Sequence, residues 1–257
     1  MRPILFSIGP VHVYAYTVCM LAAVLVGGWL TYREARRRMR LDDRTLMVGS
    51  LGLVGGLLGA KLSMLVFLGP GQFMRLLPTI PAHGAALAGG LIGGYVVVVI
   101  AERALGVERC TGDLVAPFLP LAQAIGRLGN FLAGDAYGLP TNLPWGVVQA
   151  GVRRQPVQLY EMALDLLLFG FLMWYRRRSF RDGELFKLYA IGYALIRFPL
   201  EFLRYQPAAR EIGDLTLVQW LCIGTVLLFG TQLVLQRKGV RCGCAPRLRI
   251  RRSAGAA

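Results

Sequence analysis

LMVGSLGLVGGLLGAKLSMLVFL, residues 46–68, carries a single charge, Lys61, in 23 positions. A hydrocarbon core about 30 Å thick is crossed by roughly 20 apolar residues in helical form, so this stretch reads as a membrane span. Comparable stretches lie at residues 13–30, 85–101, 114–132, 157–175, 185–203 and 215–235. The expected fold class is all-α: a polytopic membrane protein of about seven transmembrane helices. Composition agrees, with 55% hydrophobic and 17% charged residues in 257 and a mean hydropathy of +0.52. Soluble domains carry about 25% charged residues, so this chain is too apolar for a water-facing body, a disordered chain or a collagen-like fibre. Five scattered cysteines do not make a disulfide scaffold.

The net charge of +15 is a topology signal. Arg33, Arg36, Arg37, Arg38, Arg40 and Arg44 follow the first span, Arg103 and Arg109 the third, and Arg176, Arg177, Arg178, Arg181 and Lys187 the fifth. Arg237, Lys238, Arg241, Arg247, Arg249, Arg251 and Arg252 follow the last. The opposite loops hold fewer: Arg2, Arg75, Arg153, Arg154, Arg204 and Arg210. The positive-inside rule then makes the first group cytoplasmic, the N-terminus external and the C-terminus internal, which needs an odd number of spans. The basic excess also suits anionic lipid headgroups, and nucleic acid is not an expected partner. Residues 13–30 have no small-residue cleavage site after them and are expected to be an uncleaved anchor. Residues 1–236 are read as one transmembrane domain, and 237–257 as a basic, flexible cytoplasmic tail. Cys242 and Cys244 lie on the reducing side, where a lone C-x-C is a weak metal signal; no metal or cofactor is expected.

Polar groups inside spans are costly and call for pairing or function. Here they are Tyr16, Lys61, Asp113, Arg127, Asn130, Asp135, Glu161, Asp165, Tyr193, Arg197 and Glu201. Arg197 and Glu201 stand i, i+4 on one helix face, a spacing that lets them neutralise each other. Glu161 and Asp165 share the spacing with like charge, so they need a cation or a proton, and Arg127 is a candidate partner. Asp113, at the start of the fourth span, reads as structural. Arginine is permanently charged and presents a planar fork of donors suited to phosphate. Two readings therefore stay open for Arg127 and Arg197: a phosphate clamp facing the outer leaflet, or structural ion pairing. Gly52, Gly55, Gly56 and Gly59, with Gly89, Gly90, Gly93 and Gly94, are placed for close helix packing. Gly126-Arg127-Leu128-Gly129-Asn130 and Gly134-Asp135-Ala136-Tyr137-Gly138 break up a membrane helix, as happens where a cavity or polar site is lined.

The stretch from Gly126 to Gly138 resembles the signature of bacterial prolipoprotein diacylglyceryl transferases, G-R-x-G-N-F-x-N-x-E-x-x-G. Four further pieces are similar to that family and occur in order: Phe6-Ser7-Ile8-Gly9-Pro10 with Tyr16; Gly89-Gly90-Leu91-Ile92-Gly93; Arg154-Gln155-Pro156-Val157-Gln158-Leu159-Tyr160-Glu161; and Leu188-Tyr189-Ala190-Ile191-Gly192-Tyr193 with Arg197, Glu201 and Arg204. The resemblance implies a seven-helix bacterial inner-membrane enzyme with its site open to the periplasm. It implies transfer of diacylglyceryl from phosphatidylglycerol to the thiol of a lipobox cysteine in a prolipoprotein signal peptide, releasing glycerol phosphate. Arg127 and Arg197 would hold the lipid phosphate, with Asn130, Tyr16 and Tyr193 orienting it, and Asp135, Gly138 and Glu201 completing the site. The chain departs from the pattern at Ala88, where the family has a histidine regarded as a candidate base, and at Ala133, Asp135 and Gln155. His83, five residues before Ala88, is about 7.5 Å along a helix axis and roughly 140° around it; it is carried as a candidate only. The alternative reading is a lipid-binding homologue that lost catalysis with the histidine, or one that uses another acceptor.

Overall fold

The computed structural model describes residues 4–8, 11–38, 40–68, 87–107, 110–149, 151–205 and 211–238. In chain order the elements are β1 (Ile4–Ile8), β2 (Val11–Tyr14), α1 (Ala15–Arg37), α2 (Asp43–Leu68), α3 (Leu87–Ala104), α4 (Gly112–Val115), α5 (Leu119–Ala133), β3 (Val147–Gln149), β4 (Val152–Arg154), α6 (Val157–Tyr175), α7 (Glu184–Glu201), β5 (Glu211–Ile212), β6 (Leu215–Thr216) and α8 (Leu217–Arg237). Six of the seven expected spans overlap a single long helix, and the fourth is divided between α4 and α5. Among the described residues four helices, Ala15–Arg37, Asp43–Ser63, Val157–Tyr175 and Leu217–Arg237, are long and apolar enough to cross a membrane. Leu21, Leu25, Leu57, Leu58, Leu167 and Leu227 stand more than half exposed. So large an apolar outer surface needs lipid around it.

Three features correct the all-α expectation. The chain adds three antiparallel hairpins, β1–β2, β3–β4 and β5–β6, all outside the long helices. Val13 therefore belongs to a strand rather than the first span, and Leu215 to a strand rather than the last. Thr216 ends that strand with a capping box: its hydroxyl accepts from the Gln219 amide while the Gln219 side chain accepts from the Thr216 amide. The third is that span 114–132 is broken into α4 and α5. Pro117 and Pro120 lack the amide hydrogens a continuous helix needs, and Pro120 sits in the first turn of α5. The basic tail beyond Lys238 and the His83 position lie outside the described residues.

Helix α5 packs on α1 and α6, α7 on α6 and α8, and α2 on α3. The apolar centre is Ala116, Leu168, Leu172, Leu185, Tyr189 and Tyr193. The α2–α3 pair is set by glycine. A Cβ at Gly93 would lie 2.6 Å from the Gly55 carbonyl oxygen and 2.8 Å from Gly59 Cα, and one at Gly55 would lie 2.5 Å from Val97 Cγ2. The small residues thus let two backbones touch, as their spacing suggested.

One end of the bundle is fastened by carboxylates, of which Glu34, Glu102 and Asp113 are buried. Glu34, at the end of α1, receives Arg37 at 2.9 Å, Arg38 at 2.6 Å and, from the end of α6, Arg176 at 2.7 Å. Glu102 accepts the amide and hydroxyl of Thr111. Asp182 accepts the Cys110 amide, and the Gln236 side chain at the end of α8 accepts from Lys187 at 2.8 Å. Asp113 accepts the amides of Gly183 and Phe186 at 2.6 and 3.0 Å, which is the structural role expected of it. The ends of α1, α3, α6 and α8 therefore lie together, and the hairpins lie away from them.

Two outcomes are expected. Gly93→Leu should force α2 from α3 and lower thermal stability in detergent by about 1–3 kcal/mol, the usual cost of overpacking; an unchanged melting temperature would show that the contact is loose. Burial pushes the Asp113 carboxyl from 3.8 up to about 6, against the Phe186 and Gly183 amides that favour its charged form. A raised folded-state value means that its contribution is full below about pH 4 and is lost as pH rises through about 6. Melting temperatures between pH 4 and 7 should fall more steeply in the wild type than in Asp113→Asn.

Candidate active site

Three helices bring buried charges to one place. Arg127 on α5 meets Glu161 on α6 at 2.7 Å. Arg197 on α7 lies 3.9 Å from the other Glu161 oxygen and 2.5 Å from Glu201, one turn away on its own helix. Arg204, just past α7, reaches Glu201 at 4.0 Å. The Tyr193 hydroxyl donates to Glu161 at 3.3 Å, and the Thr216 hydroxyl, at the start of α8, donates to Glu201 at 3.3 Å. Glu161 is 1% exposed, Glu201 5%, Arg197 6% and Arg127 9%. At such depth a charge persists only when paired and hydrogen-bonded, so the three helices are committed to this geometry once the charges are buried.

Local sequence explains how each side chain is aimed. Gly129 lets α1 lie against α5: a Cβ there would meet Cys19 Cβ at 2.8 Å and Tyr16 Cα at 3.4 Å. This puts Tyr16 within electrostatic reach of Arg127 and Asp135. Helix α5 stops at Gly134, whose left-handed φ of 79° returns its amide to the Asn130 and Phe131 carbonyls. Asp135 follows in an exposed position, and its carbonyl accepts from the Gln158 side chain at 2.8 Å. Residues 137–141 then run between two other segments, with Leu139 donating to the Leu203 carbonyl and accepting from the Gln155 amide. A Cβ at Gly138 would lie 2.5 Å from the Gln155 carbonyl oxygen, which is why glycine fits there.

Arg154 locks this outer layer. Its guanidinium lies 4.4 Å from the Tyr137 ring and 4.6 Å from the Tyr205 ring, and donates to the Gly138 carbonyl. Those two rings stack on each other at 5.8 Å, and a cation set against both is favourable where water is excluded.

A family model for prolipoprotein diacylglyceryl transferase matches residues 3–235. The chain is 36% identical over 245 residues to a protein of Aromatoleum aromaticum, covering 86% of this chain and 90% of that one. It is 32% identical over 250 residues to one of Methylococcus capsulatus, covering 90% and 94%. It is 30% identical over 242 residues to one of Clostridium tetani, covering 89% and 95%. All three relatives are named phosphatidylglycerol–prolipoprotein diacylglyceryl transferase. The chain belongs to the prolipoprotein diacylglyceryl transferase family.

In this transferase the residues expected from sequence fall into two groups. Arg127, Tyr193, Arg197 and Glu201 come together around Glu161, with Tyr16 beside Arg127. Asn130 lies one turn further along α5, while Asp135 and Gly138 belong to the outer layer above it. Ala88 lies in the first turn of α3. Of the two readings left open for the arginines, the structure shows the ion pairing: each guanidinium meets a carboxylate, and Arg127 and Arg197 share Glu161. Glu161 was missed as a site residue, although its like-charge spacing to Asp165 on an otherwise apolar helix was the signal. Arg204 was marked by the motif it shares with Arg197 and Glu201, whereas Thr216 carried no comparable signal.

Removing Glu161 leaves the buried Arg127 without its carboxylate, while Arg197 keeps Glu201. Glu161→Ala should cost about 3–5 kcal/mol. In a thermal double-mutant cycle with Arg127→Ala the coupling should exceed about 1 kcal/mol; additivity within about 0.5 kcal/mol would show that the pair is not coupled.

Proposed function

We propose that this transferase moves the diacylglyceryl group of phosphatidylglycerol onto the thiol of the lipobox cysteine of prolipoproteins and releases glycerol phosphate. The observation that carries the reading is the meeting of Arg127 and Arg197, from separate helices, on one buried carboxylate. A pair of guanidinium groups converging on one anion suits a lipid phosphate, which displaces Glu161 as their common partner. The names of the relatives agree with this substrate pair.

The reaction breaks the bond between the glyceryl carbon and a phosphate oxygen, and that oxygen keeps the electron pair. Negative charge grows there as the sulfur attacks. Fixed guanidinium donors in a water-poor site stabilise it strongly, because they need no reorganisation. In this reading Arg127 and Arg197 hold the phosphate. Tyr16, Asn130 and Tyr193 orient it, Glu201 holds Arg197, and Asp135 and Gly138 shape the outer approach. The protein sits in the inner membrane of a bacterium as seven spans, with the N-terminus and the site periplasmic and the C-terminus cytoplasmic. The basic loops support this orientation, as does the gathering of α1, α3, α6 and α8 ends around Glu34, Glu102, Asp113 and Asp182. Ala88 favours one competing reading, a lipid-binding homologue without turnover or with another acceptor.

Expressed in cells depleted of their own enzyme, the protein should restore lipidation of a reporter prolipoprotein. Arg127→Ala and Arg197→Ala should each lower the rate at least ~100-fold, and His83→Ala should have a smaller effect. Precursor that stays unlipidated despite normal membrane expression would refute the reading, and labelled-lipid product analysis would reveal a different acceptor.

A further inference from the structure

We propose that the cavity between the α6–α7 connection and the last turn of α8 holds the headgroup of an anionic phospholipid, far from the Arg127–Glu161 cluster. The cavity measures about 370 Å³ and is lined by Ser179, Phe180 and Arg181 from the connection and by Leu233 and Arg237 from α8. Pockets that take small ligands span about 300–1,000 Å³, so a phosphate and its glycerol fit. Glu184, in the same wall, accepts from Tyr175. Tyr175 stands about 21 Å along α6 from Glu161.

The wall's acceptors are used within the protein, whereas its donors are not. One Glu184 oxygen accepts the Tyr175 hydroxyl at 2.7 Å and the other the Arg181 amide at 2.8 Å. The Gln236 side chain accepts from Lys187 and donates to the Asp182 carbonyl. The Arg181 guanidinium spends one hydrogen on the Gln236 carbonyl, which fixes it against the end of α8. The side chains of Arg237 and Ser179 have no hydrogen bond or ion pair among the described residues. Two guanidinium groups and a hydroxyl therefore meet beside an acid whose oxygens are both occupied, a donor set suited to phosphate. Arg178 and Arg237 both lie within electrostatic reach of the Tyr175 hydroxyl, so the field around the cavity is positive too.

The remaining wall selects a lipid over a free phosphate. Phe180 and Leu233 are apolar, and the α8 surface leading to them leaves Leu227, Leu228 and Val234 more than half exposed. Trp29 and Trp174 are also more than half exposed, and each carries an arginine over its ring, Arg33 at 4.7 Å and Arg178 at 3.9 Å. Exposed tryptophan marks the level of lipid headgroups. Trp174 lies in the last turn of α6, so the cavity opens at that level. The phosphate then rests on Arg181 and Arg237 while the acyl chains run down α8, and the bound lipid ties α8 to the α6–α7 connection.

The test titrates the full-length protein, in a neutral maltoside detergent at about 0.15 M salt, with dioleoyl phosphatidic acid. Bound lipid is counted by native mass spectrometry, and binding should also raise the melting temperature. Arg181→Gln combined with Arg237→Gln should weaken one bound phosphatidic acid about 30-fold, the product of two headgroup contacts. Arg237→Gln alone, at an exposed and unpaired side chain, should weaken it about fivefold without loss of folding. Leu233→Trp, which fills the cavity and keeps the charge, should displace the same lipid. Arg177→Gln combined with Lys238→Gln removes equal charge from outside the wall and should change the affinity less than about threefold. Equal losses in the two double variants would assign the binding to the diffuse field of the basic loops and overturn the proposal. Displacement of the lipid by an equal concentration of inorganic phosphate, or unchanged binding in every variant, would overturn it as well. Because the cavity is remote from Arg127 and Arg197, the outcome stands whether or not the transfer reaction proposed above is confirmed.

Discussion

Glu161 is the point on which the site depends. Its two oxygens divide Arg127 and Arg197 between them, and a tyrosine hydroxyl adds a third contact. Burying such charges costs several kcal/mol per ion unless partners return it, so the pairing of Arg127, Arg197, Glu161 and Glu201 ties α5, α6 and α7 to one another.

The two ends of the bundle are built from different chemistry. At one end, carboxylates on short connections accept backbone amides and arginines: Asp113 takes two amides from the start of α7, and Glu34 joins α1 to α6. Such contacts tolerate little movement. At the other end the chain forms small hairpins and a ladder from Leu139 to Leu203 and Gln155, with Arg154 set against the stacked Tyr137 and Tyr205 rings. The charged cluster lies just beneath that layer.

Much of this could be read from the chain. Six of the seven apolar stretches fall on single long helices, because the lack of charge leaves a membrane segment no other way to satisfy its backbone. Arg197 and Glu201 paired because helical spacing alone brings them together. Residues 114–132 were less legible: Pro117 and Pro120 divide them, and hydropathy is blind to a missing amide hydrogen. The hairpins were missed for a similar reason, since their strands are two to five residues long and carry too short a pattern to distinguish from span ends.

Sequence by itself determined the class of protein, its family and the identity of the buried charges, because hydropathy, motif order and the permanent charge of arginine are local properties. Only the tertiary structure decided which charge meets which. Arg127 and Glu161 are separated by the whole β3–β4 connection, and Thr216 reaches Glu201 only because the chain turns back after α7. Pairing across helices depends on relative rotation and depth, which packing sets and no spacing along one helix encodes.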